Sequence, residues 1–445
     1  MILWHPVGAR FVFTNWLEGV SLVKRKPQWW FGVRDSTPVP QSSVEKAGGV
    51  TTNFPVILGS GLVPFRRYRD GSGWRDWAAL ASDAALADAQ IARAGIDMVI
   101  VANESDMLAM QLSPGPLLVD DIGLAGVPVM RVEAGGGSGG AALRAGVAQI
   151  MSGLARRVLL LGFEQAASHM PAATVRALYG LSFDADLEGW AGATATMLYA
   201  LSVQDHMARF GTTMAQLARV SVKNHGNACL NPDAHSPLGL TVADVLASPM
   251  VSTPYRRLDC SLLSDGAAAV ILAHPDAAPR RIDRPLTQIT GSGCATDRAR
   301  LGDRPAPGVF AGKQRAADRA YAMAGITDPA RQIEVAEVYD SYTGAEVQGL
   351  EALRLAPPGG AVARLADGIY DRDGPLPVNL SGGLIGQGGA PGATGLAQVV
   401  AVSRLLEGRY HPGLQPARPL RRGLVDCHGG LASVTYTHVL ERLEA

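Results

Sequence analysis

Cysteine is scarce: the 445 residues hold four, Cys229, Cys260, Cys294 and Cys427, with no C-x-x-C pair and no His/Cys cluster at zinc-ligand spacing. A reduced, cytoplasmic thiol inventory without a metal site is therefore expected. Net charge is missing too, because 40 Lys+Arg stand against 40 Asp+Glu and the pI is near 7.1. Without a global field, neither nucleic acid nor an anionic membrane is an expected partner, and any anionic ligand must be held by a local site. No stretch reaches the ~18 uninterrupted apolar residues of a membrane span. The opening segment, MILWHPVGARFVFTNWLEG, is broken by Arg10, Asn15 and Glu18, so it lacks the apolar core of a signal peptide and a soluble protein is expected.

Apolar residues, by contrast, make up 47% of the chain, enough for a large core and against general disorder. The length exceeds the ~100–200 residues of one ordinary domain, so two or three are expected. Glycine stands out: 52 of 445 is well above the usual ~7%, and much of it lies in two clusters.

Residues 1–52 carry four of the seven tryptophans and three of the five lysines without a sustained period, and they read either as an N-terminal arm docking on the body or on a second subunit or as a flexible or wrongly assigned leader. From Phe54 the pattern is regular. FPVILGSG reads as a buried strand ending in glycine; Trp77, Leu80, Ala84, Ala87 and Ile91 then mark one face of a helix, capped by a left-handed Gly95, and DMVIVAN (97–103) is the next buried strand. Alternating strands and helices predict a parallel α/β layer.

The unit returns. ALADAQIARAGIDMVIVAN (85–103) compares with AADRAYAMAGITDPARQIEVAEVYD (316–340), each a helix, Ala-Gly-Ile and a buried strand running into acidic residues. A glycine cluster opening an apolar helix follows in both, at 133–155 and 379–408, and then an apolar strand, RRVLLLGFE (156–164) and LASVTYTHVLE (431–441). Such a duplication usually packs about a pseudo-twofold with the functional site between the halves. The expected domains are an arm (1–52), an N-terminal half (53–278) with an inserted loop subdomain at about 165–255, and a C-terminal half (279–445).

RVEAGGGSGGAALRAG, KNHGNACLNPDAH, SPMVSTPYRRLDCSLLSDGAAAV, EVYDSYTGAEVQGLEAL, NLSGGLIGQGGAPGATG and CHGG occur in an order that resembles the thiolase superfamily, in particular its sterol-carrier-protein thiolase and lipid-transfer branch. The resemblance implies a five-layered αβαβα fold of two duplicated halves, a homodimer, and a coenzyme A thioester as substrate, with no permanently bound cofactor. It leaves 1–52 uncovered. Arginine supplies 35 of the 40 basic residues, and none can be assigned to the CoA phosphates.

The family's chemical residues are largely replaced. Its nucleophilic cysteine lies in a pattern like E-A-A-C-A-S-G, and aligning Glu133, Ala134, Ser138 and Gly139 puts Gly136 there. A ping-pong acyl transfer needs a covalent carrier, which glycine cannot be. Where the family carries G-H-P-x-G-A-T-G, Gly389 replaces the histidine. In the E-x-H-D-A-F segment, Tyr339 replaces the histidine, giving Tyr339-Asp340. This resembles the thiolase-like aldolase subunits that cleave steroid-derived β-hydroxyacyl-CoA esters, which also lack the cysteine and use a tyrosine-aspartate motif. Those relatives work with a small partner carrying an OB fold and a zinc ribbon, so such a partner is implied.

Retro-aldol cleavage needs a proton acceptor and an oxyanion hole. Tyr339 is the candidate acceptor; since a phenol titrates near ~10, it needs a lowered pKa or a relay through Asp340 or His428, the latter a second candidate base. Backbone amides of Gly136, Gly137, Ser138, Gly389 and Gly392 are the candidate oxyanion and substrate donors, with tight helix packing as the alternative reading of the glycines. Cys427 matches the family's C-terminal acid/base cysteine, unless a shift of one residue puts Asp426 there; a small buried residue is the plain reading. Gly136-Gly137-Ser138-Gly139-Gly140 also satisfies G-x-S-x-G, with His438 the histidine a hydrolase would need. His225, His235, Asp265 and Cys260 read as structural. The expected function is carbon-carbon lysis of a β-hydroxyacyl-CoA such as a steroid side-chain ester. The alternatives are a non-catalytic lipid-transfer or acyl-CoA-binding protein, and acyl transfer through Cys427.

Overall fold

The computed structural model describes residues 53–278 and 284–443; the arm expected at 1–52 lies outside the described residues. Nine strands form the main sheet: β1 (Val56–Arg66), β2 (Met98–Ala102), β3 (Val129–Val132), β4 (Arg157–Gln165), β5 (Asp265–Ala273), β6 (Thr287–Thr296), β7 (Val335–Glu337), β8 (Arg422–Gly429) and β9 (Val434–Arg442). Their order is β3-β2-β4-β5-β1 followed by β6-β9-β8-β7, and the two sets join only where Val56 and Ile57 pair with Gln288 and Thr287. The helices that matter here are α1 (Trp74–Ala89), α2 (Ser138–Met151), α3 (Ala195–Phe210), α4 (Met214–Ala228), α5 (Ala311–Ala324), α6 (Thr343–Ala352) and α7 (Pro391–Leu406).

β4 and β5 read as continuous apolar runs because both faces are covered. Val158, Leu160, Ala268, Val270 and Leu272 point into one core, while Leu159, Leu161, Phe163, Ala267, Ala269 and Ile271 point into another. The first core lies between the two sheets and contains α2 and α7, which pack on each other and on strands of both. α7 is buried along nearly its whole length, as a helix apolar all round must be. With α1 outside the first sheet and α5 outside the second, the layers run αβαβα.

The duplication is written in backbone contacts as well as in order. In β1, a Cβ on Gly59 or Gly61 would strike the Ala85 or Ala81 carbonyl of α1; in β6, one on Gly291 or Gly293 would strike the Ala320 or Ala316 carbonyl of α5. Each pair of alternate glycines therefore seats a helix directly on a strand. At the centre, a Cβ on Gly139 would lie 2.8 Å from Gly395 Cα, so α2 and α7 meet at their glycine-rich starts. The packing reading of the glycines thus holds at the crossing.

Several local expectations change. β1 runs on through Gly59 and Gly61 to Arg66, because glycine is needed for close approach and not for a turn. The buried face of α1 is Trp74, Trp77, Ala78, Ala81, Ala85 and Ala89, whereas Leu80 is 59% exposed; the helix ends at Gln90 (φ 57°), not Gly95. The sheets are mixed: β2 runs parallel to β3 and β4, and β7 parallel to β8, while the pairs β4-β5, β5-β1, β6-β9 and β8-β9 are antiparallel. The counterpart of β4 is β8, whose polar Asp426-Cys427-His428 hid it; LASVTYTHVLE is β9, the counterpart of β5. The stretch between β4 and β5 carries α3 and α4, while β8 and β9 are joined by 430–433 alone. No helix among the described residues is long and apolar enough to cross a membrane.

Gly293→Ala is expected to destabilise the fold by about 1–3 kcal/mol through overpacking of α5 on β6. Gly302→Ala, where a Cβ meets open space, should leave the urea midpoint unchanged. Equal midpoints for both variants would contradict this account.

Candidate active site

A cavity of about 460 Å³ opens where β2, β3 and β8 end, at the carboxyl edge of the strands. Its walls include Glu104 after β2, Glu133–Gly135 after β3, and Gly429 and Gly430 at the end of β8; Met107, Leu178 and Leu181 supply apolar surface.

Beneath it Gly136, Tyr339, Cys427 and His428 come together. A Cβ built on Gly136 would overlap the Tyr339 hydroxyl and lie 3.0 Å from its Cζ and 2.9 Å from the His428 carbonyl oxygen. The phenol thus rests on Gly136, and any larger residue there must displace it. The Cys427 thiol donates to the Gly136 carbonyl at 3.2 Å, and the Tyr339 and His428 rings are 4.5 Å apart. Tyr339, Leu384 and Cys427 form a small buried cluster.

Burial, reinforced by Cys427, Glu104, Tyr199 and Asp340, raises the Tyr339 phenol well above its ordinary range. It therefore keeps its proton at neutral pH. Burial likewise pushes the Cys427 thiol up to about 12, so it stays a thiol. His428 is driven the other way, well below the usual imidazole range, by burial and by Lys313 and Arg304. Its Nε2 lies 2.7 Å from the Tyr199 hydroxyl, which donates to the Gly430 carbonyl at 2.7 Å. Since that hydroxyl has one proton to give, the ring proton sits on Nε2, leaving Nδ1 with a lone pair, buried and without a partner.

Asp340 is tied elsewhere. Its carboxylate accepts from the Leu384 and Ile385 amides at 2.6 and 3.3 Å and from Asn224 of α4 at 2.7 Å. Asn224 also donates to Glu346 of α6 at 2.7 Å, and Lys223 pairs with Glu346 at 3.2 Å. This buried network anchors the segment that carries Tyr339 and commits the Asp340 oxygens to the scaffold.

Most of the expected oxyanion donors are already paired. Gly137 donates to the Ala134 carbonyl at 3.0 Å, Ser138 to that of Gly135 at 3.0 Å, Gly389 to that of Leu262 at 2.8 Å, and Gly392 to Glu164 at 3.2 Å. The glycine turns close on themselves and on neighbouring strands, so these amides are not offered to a ligand. Ser138 is fully buried, donating its hydroxyl to the Gly135 carbonyl and accepting from the Ala134 amide, while His438 bonds the Gly140 carbonyl at 3.1 Å. The hydrolase alternative has no nucleophile-base pair. His225 bonds the Ser236 carbonyl and His235 the Ser264 hydroxyl, both within the scaffold.

Sequence reasoning missed Glu104 and Tyr199. Glu104 follows a buried strand that visibly runs into acidic residues, a signal that carried no role by itself. Tyr199 comes from α3, in the inserted stretch.

Comparison with known proteins matches residues 60–236 to the N-terminal thiolase domain and residues 293–442 to the thiolase C-terminal domain-like family. An acetyl-CoA acetyltransferase of Methanothermobacter thermautotrophicus is 35% identical over 387 residues, covering 87% of this chain and 99% of that protein. Sterol carrier protein 2 of Bos taurus is 29% identical over 418 residues, covering 86% and 72%. Among solved structures, an Ltp2-ChsH2(DUF35) aldolase aligns with a TM-score of 0.75 at 22% identity, covering 88% of this chain and 99% of that one. A monomeric SCP2-thiolase-like protein type 1 from Mycobacterium smegmatis aligns with a TM-score of 0.65 at 21% identity, over 89% and 79%.

With its thiol buried and held up near 12, Cys427 is expected to resist iodoacetamide at neutral pH while exposed Cys229 is alkylated. Peptide mass mapping reads the outcome, and rapid modification of Cys427 in the folded protein would contradict the assignment.

Proposed function

The chain belongs to the thiolase superfamily, in its sterol-carrier-protein thiolase branch, and from that premise we propose that it is a carbon-carbon lyase cleaving β-hydroxyacyl-CoA esters by a retro-aldol route. One observation carries the reading: the Tyr339 phenol occupies the space beside Gly136 in which the resembling family holds its nucleophile. Acyl transfer needs a thiolate to carry the acyl group, and the sulfur at hand, Cys427, is a buried thiol bonded to the Gly136 carbonyl. Retro-aldol cleavage needs no carrier. The proton leaves the β-hydroxyl, the Cα–Cβ bond breaks, the β-carbon becomes a carbonyl, and negative charge develops on the thioester oxygen.

A phenol that keeps its proton suits the last step. From its place against Gly136, Tyr339 donates a hydrogen bond to the oxygen that gains charge, an interaction stronger in the transition state than in the ground state. The apolar walls given by Met107, Leu178 and Leu181 favour a bulky hydrocarbon acyl group, such as a degraded steroid side chain. The fold likeness to an Ltp2-ChsH2(DUF35) aldolase supports a partner protein, for which the sequence resemblance implies a small OB-fold and zinc-ribbon subunit, and a homodimer in the cytoplasm belongs to the same proposal. Gly136, Tyr339, Cys427 and His428 are the residues assigned to the site.

Tyr339→Phe is expected to lower kcat for a β-hydroxyacyl-CoA ester of a steroid side chain by about 10²–10³-fold, the usual cost of one oxyanion donor, with KM little changed. A wild type that cleaves no such ester with its partner present would mark a binding or lipid-transfer protein instead. Thiolysis of acetoacetyl-CoA by free CoA would overturn the reading of Gly136.

A further inference from the structure

The lyase reading leaves the acceptor of the β-hydroxyl proton unassigned, and the groups first expected in that role are closed off. Asp340 spends its oxygens on Leu384, Ile385 and Asn224. His428 is 1% exposed, and Lys313 and Arg304 oppose the positive charge it would take on. Glu104, by contrast, lies in the cavity wall at the end of β2, partly exposed to it. Its Oε1 accepts from the Ser182 hydroxyl at 3.0 Å and lies 3.6 Å from the position of a Cβ on Gly135, next to the glycine that supports Tyr339. Its Oε2 makes no well-formed hydrogen bond, and the Tyr179 hydroxyl lies close enough to interact with the carboxyl. A carboxyl group in the cavity wall, held by a side-chain hydroxyl and not by backbone amides, is what the chemistry lacks.

We propose that Glu104 is the general base of this site, taking the β-hydroxyl proton of the bound ester and returning it to the α-carbon. The proposal rests on the lyase reading. The proton count closes: the carboxylate becomes a carboxylic acid as the Cα–Cβ bond breaks, the enolate formed on the thioester is hydrogen-bonded by Tyr339, and protonation of its α-carbon by Glu104 gives the shortened acyl-CoA and restores the carboxylate. No other reactant is consumed. The surroundings suit a group that must hold and release a proton near neutrality. Burial pushes the Glu104 carboxyl up to about 7, the Ser182 and Tyr179 hydroxyls pull it down, and Glu133 raises it. Glu164, Tyr339 and Tyr199 also face it, each an acid or phenol on a different element.

The test is the pH profile of kcat/KM for the steroid side-chain ester, with the partner protein present. A base must be ionised in the free enzyme, so activity should fall as pH drops through about 7 and level off above it. Glu104→Gln should lose about 10²–10⁴-fold and lack that limb, Glu104→Asp should recover part of the rate and keep it, and Tyr339→Phe should keep the limb at a lower rate. Thermal melting establishes that the variants are folded. A carboxylic-acid infrared band that disappears as pH rises through about 7 and is absent from Glu104→Gln supports the assignment without reference to turnover. Glu104→Gln with the wild-type rate and limb overturns Glu104 while leaving the lyase; a Glu104 ionised wherever the fold survives overturns it as well. A wild type that cleaves no ester overturns the lyase reading and this inference with it.

Discussion

The contact of α2 with α7 at backbone distance governs the rest of the molecule. Gly139 meets Gly395, and a Cβ on Gly395 would sit 2.9 Å from the Cys427 sulfur and closer still to the Gly140 amide. That approach lets two sheets share one central layer. It also fixes where the turn before α2 ends, and so the position of Gly136. Were the helices spread by one methyl group each, the turn, the phenol upon it and the end of β8 would all have to move, because close-packed interiors have no slack to absorb the change.

Around this crossing the protein holds ionisable side chains in the forms that burial favours. Tyr339 and Cys427 keep their protons and His428 stays neutral, while the Asp426 carboxylate is met by Lys313 with both side chains fully buried. Removing either partner of that pair would strand a buried charge, a loss far larger than the pair's net worth. Asp426 also receives the Tyr339 amide at 3.3 Å, and Asp340 receives those of Leu384 and Ile385. The acidic residues nearest the phenol in sequence and in the sheet thus serve its backbone. The acids that line the cavity, Glu104 and Glu133, come from the other half of the duplication.

How much of this was legible in the sequence depended on whether the signal was local. The Ala-Gly-Ile repeats, the glycine clusters and the apolar strands are local, and they led to two halves of one α/β design. β8 was missed as the counterpart of β4 because Asp426, Cys427 and His428 break its apolar run, although all three are buried. The face of α1 was misjudged by one position because small alanines, not Leu80, are what a strand with alternate glycines admits. The oxyanion donors were misjudged for a related reason: a helix N-terminus offers its amides only if the turn before it does not consume them.

By itself the sequence determined the family and the duplicated layers, and it led to the expectation that Gly136 stands where the family keeps its nucleophilic cysteine and Gly389 and Tyr339 where it keeps histidines, since residue identity and order suffice for those. Only the tertiary structure decided what surrounds each of these positions. That the Tyr339 ring fills the space above Gly136, that burial locks its proton in place, that Asp340 is turned away, and that Glu104 stands at the cavity more than 200 positions from Tyr339 in the chain are matters of distance and desolvation. Those quantities arise from residues brought together by packing, and no linear pattern carries them.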